Sequence, residues 1–280
     1  GAVLWLSEDN RLGLGHRRLA IIDLSEAGAQ PMHSADGRFS ITFNGEIYNY
    51  LQLRTELENE GVSFRSHSDT EVLLHLYRRD GAQMVEKLRG MFAFALWDAE
   101  AHSLFLARDP HGIKPLYYSN DGQTFRFASQ VAALKAGGQV DLRPDPGGVV
   151  GFLLWGSVPE PFTLHQGIRL LPAGSTLEVA QTGMTRPKRY WRLSSVMQRA
   201  ALQADAIPRG EEREYLRAQL LDSVKAHLLA DVPVGAFLSA GLDSSTLVGL
   251  AREAAAAPLQ TLTLSFDDFQ GTHNDECPMA

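Results

Sequence analysis

Phe237-Leu238-Ser239-Ala240-Gly241-Leu242-Asp243-Ser244-Ser245 is an apolar run that stops in a small-residue turn rich in hydroxyls, and an alanine-rich segment follows it. Val234 to Leu238 read as a buried strand, and Thr246 to Ala257 have the composition of a helix. Ala240 and Gly241 let a ligand come close to the backbone. A strand that turns into a helix in this way directs the unpaired amides and the positive end of the helix dipole at the turn, where phosphate groups bind. The same letters also fit an ordinary turn with Asp243 or Ser244 as the helix N-cap. A Walker A loop carries a lysine after its second glycine, and here no lysine follows Lys225. Transfer of a γ-phosphate is therefore disfavoured.

The segment resembles the pyrophosphate loop of ATP pyrophosphatases, which cleave between the α and β phosphates and make an adenylate. The usual form of that loop has glycine where this chain has Ala240, a compact replacement that is harmful only if the position needs positive φ. Further motifs lie upstream: Gly15-His16-Arg17-Arg18-Leu19-Ala20-Ile21-Ile22-Asp23, Phe43-Asn44-Gly45-Glu46-Ile47-Tyr48-Asn49, Ser68-Asp69-Thr70-Glu71, Arg89-Gly90-Met91-Phe92-Ala93-Phe94-Ala95, Arg108 through Tyr118, and Leu171-Pro172-Ala173-Gly174. Together with the loop they resemble the glutamine-hydrolysing asparagine synthetases of the bacterial B type, over nearly the whole chain. The resemblance implies a class II, N-terminal-nucleophile glutaminase joined to an ATP-using synthetase. The fold it implies is an α+β four-layer α-β-β-α sandwich, followed by the start of an α/β parallel-sheet domain of the adenine nucleotide α-hydrolase kind. The domain boundaries expected are 1–192 for the glutaminase, 193–210 for a linker and 211–280 for the beginning of the ATP-binding domain.

The residue types suit the chemistry. A free amino acid presents a carboxylate, which an arginine fork binds, and an ammonium, which needs carboxylates or other acceptors. Arg18 fits the first role, and Glu46 and Asp69 fit the second. In the family the matching positions bind glutamine, with Leu19 and Ile21 lining the site. Hydrolysis of the side-chain amide passes through an oxyanion, which the Asn44 amide and the Gly45 N–H could stabilise; losing one such donor costs on the order of 10²–10³ in rate. Without the resemblance, Arg18 and Asp69 read as solvated surface charges and Asn44-Gly45 as a two-residue hairpin turn.

In the family the nucleophile is a cysteine at the mature N-terminus, activated by its own α-amine. This chain opens Gly1-Ala2-Val3-Leu4-Trp5, which matches the family after that cysteine, and its single cysteine is Cys277. The sequence reads as an internal fragment that lacks the nucleophile and most of the synthetase domain, so as given it hydrolyses no glutamine. The resemblance implies ATP, with Mg²⁺ arriving on its phosphates and Asp243 as a contact. It also implies pyrophosphate held by Ser239 to Ser245, with Gly241, Ser244 and Ser245 among the contacts, and adenine near Phe237, Leu238 and Leu264. Glutamine, aspartate and ATP are the implied substrates. A related enzyme with another acceptor, such as a β-lactam synthetase, and a non-catalytic ligand-binding fragment are the other readings. A homodimer is an expectation of the resemblance alone.

Composition narrows the class further. A net charge of −7 argues against a nucleic-acid surface, and one cysteine among 280 residues argues for a reducing compartment, the cytoplasm. The longest apolar run, Val149 to Trp155, is short of the ~20 residues of a spanning helix and reads as a buried helix. The histidines show no zinc spacing. Strands are expected at Gly1 to Leu6, Gly13 to Ile22, Phe39 to Phe43, Phe92 to Asp98, Ser103 to Ala107 and Thr261 to Phe266. Helices are expected at Tyr50 to Glu60, Asp69 to Arg79 and Glu211 to Ala230, with Ser194 to Arg209 as a polar linker.

Overall fold

A computed structural model describes residues 2–202, 210–255, 258–272, 275 and 277–279. The chain forms two compact units, Gly1–Met197 and Gln198–Ala280.

In the first unit, β1 (Ala2–Leu6) and β2 (Gly13–Arg17) pair antiparallel. β3 (Met32–His33) and β4 (Phe39–Ile47) are followed by helices α1 (Tyr50–Asn59) and α2 (Asp69–Asp80). β5 (Gly90–Asp98) and β6 (Ser103–Arg108) form a hairpin, after which come β7 (Tyr117–Asn120), β8 (Phe125–Ala128), α3 (Val131–Ala136), α4 (Pro146–Trp155) and β9 (Arg169–Leu170). β10 (Ser175–Ala180), β11 (Gly183–Met184) and β12 (Lys188–Arg189) complete the unit. The strands make a seven-stranded antiparallel sheet in the order β11-β10-β6-β5-β4-β3, with β12 beside β10, and a three-stranded sheet β8-β7-β9.

Period-two alternation assigns the faces. Phe94 and Phe105 point to the side of the large sheet where Tyr77 of α2 stacks, its ring 5.3 Å from Phe105 and 5.6 Å from Phe39. The alternate residues Ala93, Ala95, Leu104, Leu106 and Leu177 face the other way and bury against Leu116, Leu171, Tyr118, Phe125 and Phe127 of the small sheet and its flanks. On the far side of β8, Arg126 reaches Gln139 just beyond α3 at 3.0 Å. The layers therefore run helix, sheet, sheet, helix, as the resemblance implies.

Several boundaries differ from the sequence reading. β2 ends at Arg17 instead of Ile22, because the chain turns through Asp23 at φ 54°. β4 runs on through Asn44-Gly45 to Ile47, so the Asn-Gly pair is strand and not a hairpin turn; β5 pairs with it residue for residue. The expected buried helix at Val149 to Trp155 is α4, yet Leu153, Leu154 and Trp155 are 76%, 71% and 76% exposed. Its inward face is glycine instead. A Cβ on Gly148 would sit 2.0 Å from Thr163 O and one on Gly151 2.2 Å from Pro159, so the helix packs by close backbone approach and turns its large side chains outward.

The expected linker begins as a helix, α5 (Leu193–Leu202), and its residues 203–209 lie outside the described ones. In the second unit α6 (Glu212–His227) is linked to α7 (Leu242–Ala254) by an Arg217–Glu253 ion pair. β13 (Gly235–Phe237) and β14 (Gln260–Leu262) pair in parallel across α7, the crossover that parallel strands need. β14 is shorter than the expected Thr261 to Phe266. β13 is not buried either, since Phe237 is 78% exposed: a parallel pair has two faces to cover, and the described helices leave this one open. Helix α7 starts at Leu242, four residues before the expected start, and Ala257, its expected end, lies outside the described residues.

Candidate functional site

A cleft of about 560 Å³ opens in the first unit at the layer between the two sheets. Thr42, Asn44 and Glu46 reach it from β4, on the face that β4 shares with Ala93 and Ala95 of β5. Arg17 ends β2, Arg18, Leu19, Ile21 and Ile22 come from the loop after it, and Ser68, Asp69 and Thr70 from the cap and first turn of α2. Lys114, Pro115, Leu116, Phe127, Ala128 and Ser129 form the opposite wall. All seven residues expected to contact an amino acid, namely Arg18, Leu19, Ile21, Asn44, Gly45, Glu46 and Asp69, thus line one cavity.

The acidic wall of the cleft is built at the junction of β4 and α2. Ser68 caps α2, its Oγ accepting from Thr70 N at 3.2 Å, and so places Asp69 in the first turn. Asp69 Oδ2 accepts from Ile47 N at 3.0 Å, which fixes the carboxyl at the end of β4 beside Glu46. Asp69 is 4% exposed. Burial is the main force that pushes its carboxyl up to about 6, with Glu46 adding to it, against the N–H bonds of Ile47 and Thr70 and the Ser68 hydroxyl. An α-ammonium entering beside Asp69 and Glu46 would relieve both effects.

Arg18 is held by its own loop. Arg18 Nη1 donates to Ser25 O at 3.0 Å, and Nη2 donates to Ile22 O at 3.0 Å and to Asp23 O. Three of the five donors that a guanidinium carries are engaged in this way. Neighbouring His16 Nδ1 lies 3.2 Å from Thr42 Oγ1; burial first and Arg18 second hold the His16 pKa below its usual value, so near neutral pH the ring adds no cation beside Arg18.

Asn44 and Gly45 sit in β4 opposite Ala93 and Phe92 of β5. Gly45 has φ 155°, and a Cβ there would lie 2.1 Å from Met91 O and 2.7 Å from Phe92 Cα. Only glycine fits. The Asn44 side chain is directed to the cleft face while the Gly45 backbone lines the same cavity.

The sequence reading did not single out Gln30, His16, Lys114 or Asp23 as site residues. Gln30 Oε1 accepts from Phe43 N at 2.6 Å and Nε2 donates to Thr70 Oγ1 at 3.4 Å, bracing β4 against α2. Lys114 owes its place to the loop after β6. There the fully buried carboxylate of Asp109 accepts the amides of His111, Ile113 and Lys114, each at 3.0 Å, while Arg108 Nε donates to Lys114 O at 2.8 Å. An arginine and an aspartate ahead of a Pro-His-Gly turn were the signal available in sequence.

In the second unit, the turn between β13 and α7 brings Ser239, Gly241, Asp243, Ser244 and Ser245 together. Gly241 is the N-cap of α7 and, among the described residues, no side chain caps it, so neither Asp243 nor Ser244 is the N-cap. Ser239 and Ser244 lock the turn instead: their hydroxyls are 2.9 Å apart, Ser239 N donates to Ser244 Oγ at 3.2 Å, and Gly241 N donates to Ser239 Oγ at 3.3 Å. Leu238 N donates to Leu262 O at 3.0 Å; Phe237 and Leu264 are exposed. A helix N-terminus whose amides have no side-chain cap, behind a hydroxyl-rich turn, has the chemistry to receive an anion. Among the described residues no group of three or more His, Cys, Asp or Glu is placed to hold a metal ion, and no helix is long and apolar enough to cross a membrane.

Comparison with known proteins follows the division of the chain. Residues 2–191 match the family model of the glutamine amidotransferase domain, and residues 215–280 match that of asparagine synthase. Asparagine synthetase [glutamine-hydrolyzing] 1 of Bacillus subtilis is 40% identical over 92% of this chain and 39% of its own length. Asparagine synthetase [glutamine-hydrolyzing] 3 of the same organism is 36% identical over 91% of this chain and 41% of its own. Among solved structures, glutamine phosphoribosylpyrophosphate amidotransferase from B. subtilis aligns with a TM-score of 0.46 at 21% identity, covering 90% of this chain and 51% of that one. The chain spans about two-fifths of the length of these two curated relatives. With a family model matched over more than half of its residues, the chain belongs to the glutamine amidotransferase domain family.

Proposed function

We propose that the cleft of the first unit binds glutamine and that the chain is part of an ATP-dependent, glutamine-hydrolysing asparagine synthetase. The observation that carries this reading is the cleft itself: an arginine, two carboxylates, and Asn44 with Gly45, all lining one cavity of about 560 Å³. Arg18 receives the α-carboxylate, Glu46 and Asp69 receive the α-ammonium, and Leu19 and Ile21 flank the ligand. The Asn44 amide and the Gly45 N–H stabilise the oxyanion that forms when the side-chain amide is attacked. Cys277, the only cysteine of the sequence, is not read as the attacking thiol, because a thiol inside a chain has no α-amine of its own beside it to act as base.

In the second unit, Ser239, Gly241, Asp243, Ser244 and Ser245 hold the pyrophosphate portion of ATP, with Phe237, Leu238 and Leu264 beside the adenine. Asp243 contacts the Mg²⁺ that ATP brings. In the longer enzyme aspartate is the acceptor, activated as an acyl-adenylate that ammonia attacks. Residues 1–192, 193–210 and 211–280 are the proposed glutaminase domain, linker and beginning of the ATP-binding domain. A cytoplasmic location and a homodimer complete the proposal.

Calorimetry of the chain with L-glutamine tests the first half: binding that disappears in Arg18→Ala supports it, and no heat with the wild type refutes it. Pyrophosphate release from ATP by the longer protein tests the second half. Release that another acid triggers and aspartate does not would overturn asparagine synthesis.

A further inference from the structure

Asp23 is the buried pivot of the loop that carries Arg18. Its φ of 54° belongs to the left-handed region that aspartate and asparagine visit more readily than other non-glycine residues. That turn aims the carbonyls of Ile22, Asp23 and Ser25 at the Arg18 guanidinium. The Asp23 carboxylate works outward from the same point. Oδ1 accepts from Ser25 N at 3.0 Å and from Ser25 Oγ at 2.5 Å, and Oδ2 accepts from His67 N at 2.8 Å. His67 immediately precedes Ser68, the cap of α2, and Asp69 follows. One buried carboxylate therefore ties the loop that holds Arg18 to the turn that presents Asp69, although 44 residues separate Asp23 from His67. Burial alone would raise its pKa; the bonds from Ser25 and His67 outweigh burial and keep it low, so the carboxylate stays charged and acts as acceptor at both ends. Gly28 closes the arrangement, since a Cβ there would lie 2.4 Å from Arg18 Nη2.

We propose that Asp23 is a positioning residue of the cleft, setting the spacing between Arg18 and Asp69 and so the selectivity for a ligand that carries both an α-carboxylate and an α-ammonium. This role rests on the reading of the cleft as a glutamine site. Asp23 touches no ligand atom and acts through the two groups that do.

Asp23→Asn is the informative substitution. Asparagine keeps the backbone preference and the shape, but its side chain offers one acceptor and one NH₂ group where two acceptors are needed, so the Ser25 or the His67 N–H meets another donor. Calorimetric titrations would compare L-glutamine with L-glutaminamide, which lacks the carboxylate, and with 4-carbamoylbutanoate, which lacks the amine. The wild type should prefer glutamine to both. In Asp23→Asn the glutamine Kd should rise about tenfold, as expected for the loss of a hydrogen bond to a charged group, and both preferences should shrink together. A purely structural Asp23 would lower Tm and leave the two preferences of the folded protein unchanged, and that result overturns the proposal. Should Asp23→Asn fail to fold, Ser25→Ala, which removes only the hydroxyl bond to Asp23 and the local turn bond, carries the same comparison with a smaller expected loss. A wild type that binds no glutamine sinks the reading of the cleft; a wild type that binds it, beside a variant with intact preferences, sinks only the positioning role.

Discussion

Asp69→Asn should make the protein more stable at neutral pH while removing its grip on an amino acid. The folded carboxyl is raised from 3.8 to about 6, chiefly by burial. For an acid with a raised pKa, the protonated form favours the fold: the stability it contributes is fully present below the unfolded value of 3.8 and is lost as pH rises through about 6. A shift of two units corresponds to about 3 kcal/mol, the cost of holding the ionised group in place at pH 7. Asparagine carries no charge, and its Oδ1 can still accept from Ile47 N, so part of the 3 kcal/mol returns as a gain of roughly 1–3 kcal/mol, or roughly 2–6 °C in Tm. Thermal unfolding of both proteins should show the gain at pH 7.5 and its decline toward pH 5. Glutamine affinity should fall ten- to a hundredfold in the variant, the usual loss for a charge-assisted hydrogen bond. In the wild type the affinity should weaken by up to tenfold for each pH unit below about 6. A variant less stable than the wild type at pH 7.5, or two stability curves that run parallel from pH 5 to 7.5, would refute the reasoning.

Other substitutions separate structure from site. Glu71 behaves oppositely: burial alone would raise it, but His75 nearby and the bonds from Ser66 and Arg65 hold its carboxyl down at about 2. Its contribution is therefore present above the unfolded value of 4.5 and lost as pH falls toward 2. Glu71→Gln should cost about 2 kcal/mol in urea unfolding at pH 7 and roughly half as much at pH 3; an equal cost at both values counts against it. Gly45→Ala must force a Cβ to 2.1 Å from Met91 O at a φ of 155°, and should destabilise by about 3 kcal/mol or more; a Tm within a degree or two of the wild type would show that β4 and β5 can separate there. Ser244→Ala removes the lock on the turn before α7. Inorganic pyrophosphate, titrated into this chain, should bind about tenfold more weakly with Tm almost unchanged, and equal binding would separate the lock from the anion site.

How far the sequence was legible depends on the range of the interaction that decides each feature. The Leu51, Leu53 and Leu57 stripe of α1 and the Val72, Leu73 and Leu76 stripe of α2 are local patterns, and both helices form where the spacing places them, although Leu51 faces solvent. The strands at Phe92 to Asp98 and Ser103 to Ala107 were equally readable, because a strand buried between layers is a continuous apolar run. Asn44-Gly45 misleads when read locally. A two-residue turn is its commonest local fate, and only its pairing with Ala93 and Phe92, nearly fifty residues on, keeps it extended. Helix α4 misleads in the other direction: its composition demands burial, yet Gly148 and Gly151 take the inward face. The residues that line the cleft were picked out through motifs, which mark what a position is but not how it is held. Neither the left-handed backbone of Asp23 nor its bond to His67 has a signature in the letters.

The first turn of α2 shows why geometry rather than residue type divides the labour. Asp69 and Glu71 are two residues apart, both nearly inaccessible, both in the field of the same helix N-terminus. Burial pushes both carboxyls up; it prevails on Asp69, at about 6, and donors overcome it on Glu71, at about 2. Glu71 accepts the amides of Arg65 and Ser66 and the Ser66 hydroxyl at 2.6–3.1 Å, with His75 Nε2 at 3.8 Å, so its charge is matched within the protein. Asp69 accepts the Ile47 amide at 3.0 Å and a long 3.4 Å bond from Ser68, and it faces the like charge of Glu46. The matched carboxylate holds the loop before the helix in place. The under-matched one faces the cleft, where its destabilised charge becomes binding energy only when a cation arrives.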